Sequence, residues 1–116
     1  MLNFADFTVG RTVYVLDFHY RDNFEKATLE EVVIDSVGKK YVFVGRDKFF
    51  LNNARNDLYL TQKVDGGTSN YMFLTKEDYY RYAEYRELSK WFHSITYAKL
   101  TYEQLKAIKE IIENDQ

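Results

Sequence analysis

The chain is written in two periods. Up to Leu74 its apolar residues come in short runs that alternate with polar ones and favour β-branched and aromatic types; from Thr75 onward they recur every three or four residues. Alternation puts successive side chains on opposite faces of a strand, whereas the longer step lines one face of a helix. A sheet built first and helices added after it is the arrangement this order demands.

Residues 12–18, TVYVLDF, read as a strand with Val13 and Val15 on one side and Tyr14, Leu16 and Phe18 on the other. The polar stretch 19–26, HYRDNFEK, reads as a loop. Residues 27–37, ATLEEVVIDSV, form one longer strand expected to bend or bulge at Glu30 and Glu31, with Val33 and Val37 inward. Gly38 and Lys39 predict a tight turn with a positive φ at the glycine, after which Tyr41 to Val44 returns antiparallel. Gly45 to Lys48 is a second turn, leading into a short strand at Phe49 to Leu51 that Asn52 and Asn53 end. Residues 58–64 alternate again, Asp65 to Asn70 is the strongest loop signal, and Tyr71 to Leu74 closes the series.

Thr75, followed by Asp78, is a helix N-cap, with Leu74 and Tyr79 as its hydrophobic staple. Tyr85, Leu88, Phe92 and Ile95, widened by Trp91, predict the inner face of a helix reaching about His93. Thr101 and Gln104 make a capping box for a second helix, whose buried face is marked by Leu105, Ile108 and Ile112. The predicted fold is α+β: a small twisted antiparallel β-barrel or sheet of SH3-like kind, with five or six short strands, followed by two C-terminal helices packed across one opening or face. Residues 1–116 are read as a single domain, β-rich over 1–74 and two-helix over 75–116. Its core is predicted at Tyr14, Leu16, Val33, Val42, Val44, Leu60, Leu88, Phe92, Leu105, Ile108 and Ile112.

Composition removes whole classes of chemistry. The 116 residues contain no cysteine, which excludes disulfides, thiol nucleophiles and thiolate metal sites. Sixteen basic side chains face eighteen acidic ones, for a formal charge of −2. They are evenly spread, nine against ten over 1–74 and seven against eight over 75–116. A nucleic-acid or anionic-membrane binder generally needs a wide positive field, so those partners fall in rank. The opening residues carry no basic segment leading into an apolar run, and no stretch approaches the roughly 18 apolar residues that span a bilayer; cytoplasmic location and no membrane partner are the expectations.

Candidate chemistry is sparse. Asp17 and His19 share a strand face if the strand continues, but a metal site needs about three convergent ligands, and His93 is the only other histidine. Glu30 and Glu31 point to opposite faces and do not form a carboxylate pair. Gly66 and Gly67 lack the lysine and the strand-to-helix setting of a phosphate loop and read as a turn. No catalytic residue, metal or cofactor is predicted, and the chain is read as a non-enzyme.

The unusual feature is aromatic content, 18% of residues, with eleven tyrosines. Tyr79, Tyr80, Tyr82 and Tyr85 sit on one helix and, at about 100° per residue, point several ways, so they are not all core. The bland reading packs two beneath the helix and leaves the others in water. The functional reading is an interface of Tyr79, Tyr80, Arg81, Tyr82 and Arg86, because tyrosine and arginine are frequent interface anchors. The same mixture can stack single-stranded bases, although Asp78, Glu84 and Glu87 would repel a phosphate backbone.

The succession TVYVLDF, EEVVIDSVGKKYVFVG, FLTKEDYYRYAEYRELSKWF and KLTYEQLKAIKEII covers nearly the whole chain and resembles small phage and mobile-element proteins of Gram-positive bacteria. The resemblance implies an SH3-type barrel with appended helices. It also implies inhibition of host defence, since some such proteins act on CRISPR nucleases; it transfers no site residue. The expected function is a non-enzymatic protein-binding module whose partner is a host or defence protein. The alternatives are a nucleic-acid-associated small barrel that uses exposed aromatics, and a structural self-assembling subunit, with the oligomeric state left open.

Overall fold

A computed structural model of the chain describes residues 2–19, 23–52, 58–95 and 97–114. The expected 19–26 loop falls partly on residues 20–22, and the expected strand end partly on Asn53; both positions lie outside the described residues. Seven strands are present: β1 Thr12–Asp17, β2 Thr28–Val33, β3 Ser36–Val37, β4 Val42–Val44, β5 Asp47–Phe50, β6 Leu60–Gln62 and β7 Tyr71–Phe73. They are followed by helices α1 Lys76–Ser94 and α2 Tyr102–Asn114. The chain divides into two compact units, Met1–Tyr82 and Ala83–Gln116.

In the first unit the strands form one antiparallel sheet in the order β2-β1-β7-β6-β5-β4-β3. β2 and β3 are its two outer strands, yet only Ile34 and Asp35 separate them in sequence. Consecutive Cα atoms are about 3.8 Å apart, so Val33 and Ser36 lie within roughly 11 Å of one another. The sheet must therefore curl until its edges approach, which makes it a half-barrel. The switch is visible in the backbone. The Ile34 N–H donates to the Arg11 carbonyl on the β1 side, and the Asp35 N–H donates to the Phe43 carbonyl on the β4 side. This is why seven strands appear where five or six were expected: the predicted 27–37 strand bends at Ile34 and Asp35, not at Glu30 and Glu31. The barrel-like curl follows from the strand order, which does not single out the SH3 variety.

β1 is apolar on both faces, and each face has its own core. Val13 and Val15 join Phe7, Ile34, Val42, Phe49, Leu60 and Met72 on one side. Leu16 and Phe18 join Phe73 and Tyr82 on the other. The register with β7 keeps the two sets apart, pairing Val15 with Met72 on the first face and Leu16 with Tyr71 on the second. β2 takes the opposite phase from the one expected. Val32 sits across from Val13 and faces the first core, which leaves Val33, opposite Thr12, 51% exposed.

The turns also differ in detail. Between β3 and β4 the Gly38 N–H donates to the Tyr41 carbonyl at 2.8 Å, without a positive φ at the glycine. The positive φ falls instead at Gly45, +59°, in the two-residue connection of β4 to β5, where Val44 pairs with Asp47. The Gly45 N–H donates to the Asp35 carboxylate, which ties this turn to the point where the sheet changes edges.

The predicted helix starts are found. Thr75 Oγ1 accepts from the Asp78 N–H at 3.2 Å, and Leu74 and Tyr79 pack with different cores. At α2 the capping box is reciprocal: Thr101 Oγ1 accepts from the Gln104 N–H at 3.1 Å, and Gln104 Oε1 accepts from the Thr101 N–H at 2.9 Å.

Burial of the expected core residues divides by unit. Leu16, Val42 and Leu60 are buried, and Tyr14 and Val44 are half-buried. Leu88, Phe92, Leu105 and Ile112 are exposed, and Ile108 is half-buried. Among the described residues every buried side chain lies between Phe7 and Tyr82.

Candidate functional site

α1 is pinned by its first two turns. Tyr82 is 6% exposed and meets Tyr59, Tyr71, Phe24 and Phe73 with ring centroids 5.4–5.8 Å apart, mostly edge to face. Tyr79 packs beside it on Phe24 and Phe73, and Tyr59 stacks on Tyr71 at 4.0 Å. Edge-to-face pairs of this kind each contribute about 0.5–1.5 kcal/mol beyond the area they bury. Much of the aromatic excess thus has a structural cause. A sheet that must cover both faces, with a helix and the short turn Phe24–Lys26 against the second, fills that face with rings.

Tyr82 is therefore no part of an accessible surface, and Tyr79 is half-buried, although both were candidate interface residues. Tyr80 and Arg81 face solvent, with Tyr80 61% exposed and the Arg81 guanidinium 3.7 Å from Asp78 Oδ1. Arg86 is half-buried and lies about 240° around the helix from Tyr80, so the helix does not bring the two together. Of the expected inner face, Tyr85, Leu88, Trp91 and Phe92 are exposed instead, and Ile95 is half-buried just past the end of α1. Sequence reasoning missed this phase because α1 carries apolar rings nearly all the way round.

A polar cleft of about 210 Å³ lies at one end of the sheet, lined by residues that include Asp17, His19, Asp47, Gln62, Thr68 and Asn70. Asp17 Oδ1 accepts from the His19 N–H at 2.8 Å, which holds His19 at a left-handed φ of +53°. His19 Nε2 is 2.7 Å from Thr28 Oγ1, and Nδ1 is 3.8 Å from Asp17 Oδ2. Asn70 stitches the opposite wall: its Oδ1 accepts from the Phe18 N–H and its N–H donates to Gln62 Oε1. Asp17, His19, Gln62 and Asn70 are thus engaged locally at the strand ends. Among the described residues no group of three or more His, Asp or Glu side chains is placed to hold a metal ion. His93 stands apart on α1, its Nδ1 2.8 Å from the Ser89 carbonyl oxygen. Glu30 and Glu31 sit across from Val15 and Tyr14 on opposite faces of the sheet.

With the sheet and the helix face described, comparison with family models returns a match over residues 1–115 to the phage ProQ C-terminal-like domain. The chain belongs to this family. The match spans both units and bears out the phage part of the resemblance read from the sequence; a Gram-positive host and anti-CRISPR activity are no part of it. Comparison with curated proteins returns no match, and comparison with solved structures returns none. Among the described residues no helix is long and apolar enough to cross a membrane.

Proposed function

We propose that this phage ProQ C-terminal-like domain is a non-enzymatic protein-binding module that engages a host protein in the cytoplasm through the outward side of α1. One observation carries the reading. Tyr79 and Tyr82 fix one side of the helix's first turns into an aromatic core, and this leaves Tyr80 and Arg81 outward on the other. Tyrosine and arginine are residue types that often anchor interfaces, and a helix already ordered before binding spares the backbone cost of ordering.

Retention of one host protein from a phage-host lysate by the wild-type chain, and its loss with Tyr80→Ala or Arg81→Glu, is the expected result. Recovery of nucleic acid alone, with affinity falling steeply as salt rises, overturns it in favour of the base-stacking alternative. The narrower reading, that the host protein belongs to a defence system such as a CRISPR nuclease, rests on the resemblance of the sequence. It predicts that producing the chain restores phage growth on a strain carrying that defence, and that Arg81→Glu abolishes the rescue.

A further inference from the structure

The second unit has an apolar surface out of proportion to its size. On α1, Leu88, Trp91 and Phe92 are exposed; on α2, so are Leu105, Ile111 and Ile112. Each set falls within about 120° of arc around its own helix, so each is one face and not a scatter. Tyr85 and Tyr102 of this unit are exposed as well; in the first unit the exposed large apolar residues are Val9, Val33, Val37 and Tyr80, on four different segments of the chain. We propose that residues 83–116 form a self-association element, in which the helical unit of one copy packs its apolar faces against that of a second copy.

Size is the first argument. Units below about 40 residues rarely bury enough surface to be stable alone and generally need disulfides, metals or oligomerisation. The helical unit covers 34 positions, Ala83 to Gln116. The chain has no cysteine, and the described residues hold no metal-binding group. α2 adds to the need, since at 13 residues it is marginal as an isolated helix in water.

Area is the second. With each side chain weighted by its exposed fraction, the six residues present roughly 600 Å² per chain. A pair would cover roughly 1,200 Å², the lower limit for a stable specific interface. Charge is compatible with a second copy. Residues 83–116 carry five basic and six acidic side chains, so two copies meet with little net repulsion between them.

The test uses the full chain and its single tryptophan, which lies on the proposed surface. Sedimentation equilibrium across the micromolar range should show the mass rising from 13.9 kDa toward twice that value, with the Trp91 emission moving to the blue in step. The double variant Leu88→Glu with Ile112→Glu should stay at 13.9 kDa with solvent-like emission at every concentration, while Val9→Glu on the first unit associates as the wild type does. A wild-type mass fixed at 13.9 kDa with concentration-independent emission overturns the proposal, as does a double variant that still dimerises. If the double variant fails to fold, the wild-type series alone decides. Neither Tyr80 nor Arg81 is altered, so loss of the host partner and loss of self-association are read separately.

Discussion

Tyr82 and Trp91 stand nine residues apart on one helix, and their surroundings are opposite: the phenol is enclosed by four other rings, while the indole is 61% exposed. The contrast holds for the units they belong to. Residues 2–82 bury apolar side chains on both faces of a curled sheet, and residues 83–114 bury none among those described. Similar residue types are spent on a core in one region and left on a surface in the other. A three-to-four-residue period names a face of a helix; the elements beside that helix decide whether the face is covered.

The comparison breaks most readily at its two phenylalanines. Phe73→Ala is expected to cost about 3–5 kcal/mol, because the side chain is fully enclosed in the second core. Phe92→Ala, at 52% exposure, should cost less than about 1 kcal/mol at concentrations where the chain is dilute. Chemical denaturation measures both, and equal shifts in midpoint would mean the units are not distinguished as described. Next in size is the pair within α1: Tyr82→Ala should lower stability by about 3 kcal/mol and Tyr80→Ala by no more than about 0.5 kcal/mol. The glycine turns sharpen the account of the first unit. Gly45→Ala, forced into a left-handed backbone, should cost about 1–2 kcal/mol in the denaturation midpoint. Gly38→Ala, whose added carbon meets nothing closer than 3.8 Å, should change the midpoint by less than about 0.5 kcal/mol. A local effect belongs to the second unit: Thr101→Ala removes half of a capping box, at a cost of about 1 kcal/mol to α2. It should appear as lost far-UV helicity with the sheet's unfolding midpoint unmoved.

The sequence made some of this legible and hid the rest for physical reasons. Alternation in TVYVLDF assigned both faces of β1 correctly, because a strand that is apolar on each side leaves no phase to choose. The N-cap at Thr75 and the capping box at Thr101 located both helix starts, because a side chain bonding three residues along is a local event. Val32 and Val33 are chemically alike, and only pairing with β1 settles which points inward. The bend at Ile34 and Asp35 was invisible for the same reason, since it exists to join two edges that are distant in strand order. On α1 the stripe through Tyr85, Leu88 and Phe92 was the stronger pattern, yet the aromatic partners of the sheet lie against Tyr79 and Tyr82. Of the candidate interface residues, Tyr80 and Arg81 are accessible, Tyr79 and Arg86 half-buried and Tyr82 enclosed.

Hydrogen exchange along the backbone of the full chain, followed as a function of protein concentration, tests the division between the units most directly. Amides of β1 and β7 should exchange slowly and independently of concentration, at the rate of global unfolding. Those of α2 should exchange many orders of magnitude faster in dilute solution and slow down as the protein is concentrated. Equal protection of β7 and α2 in dilute solution would contradict the account.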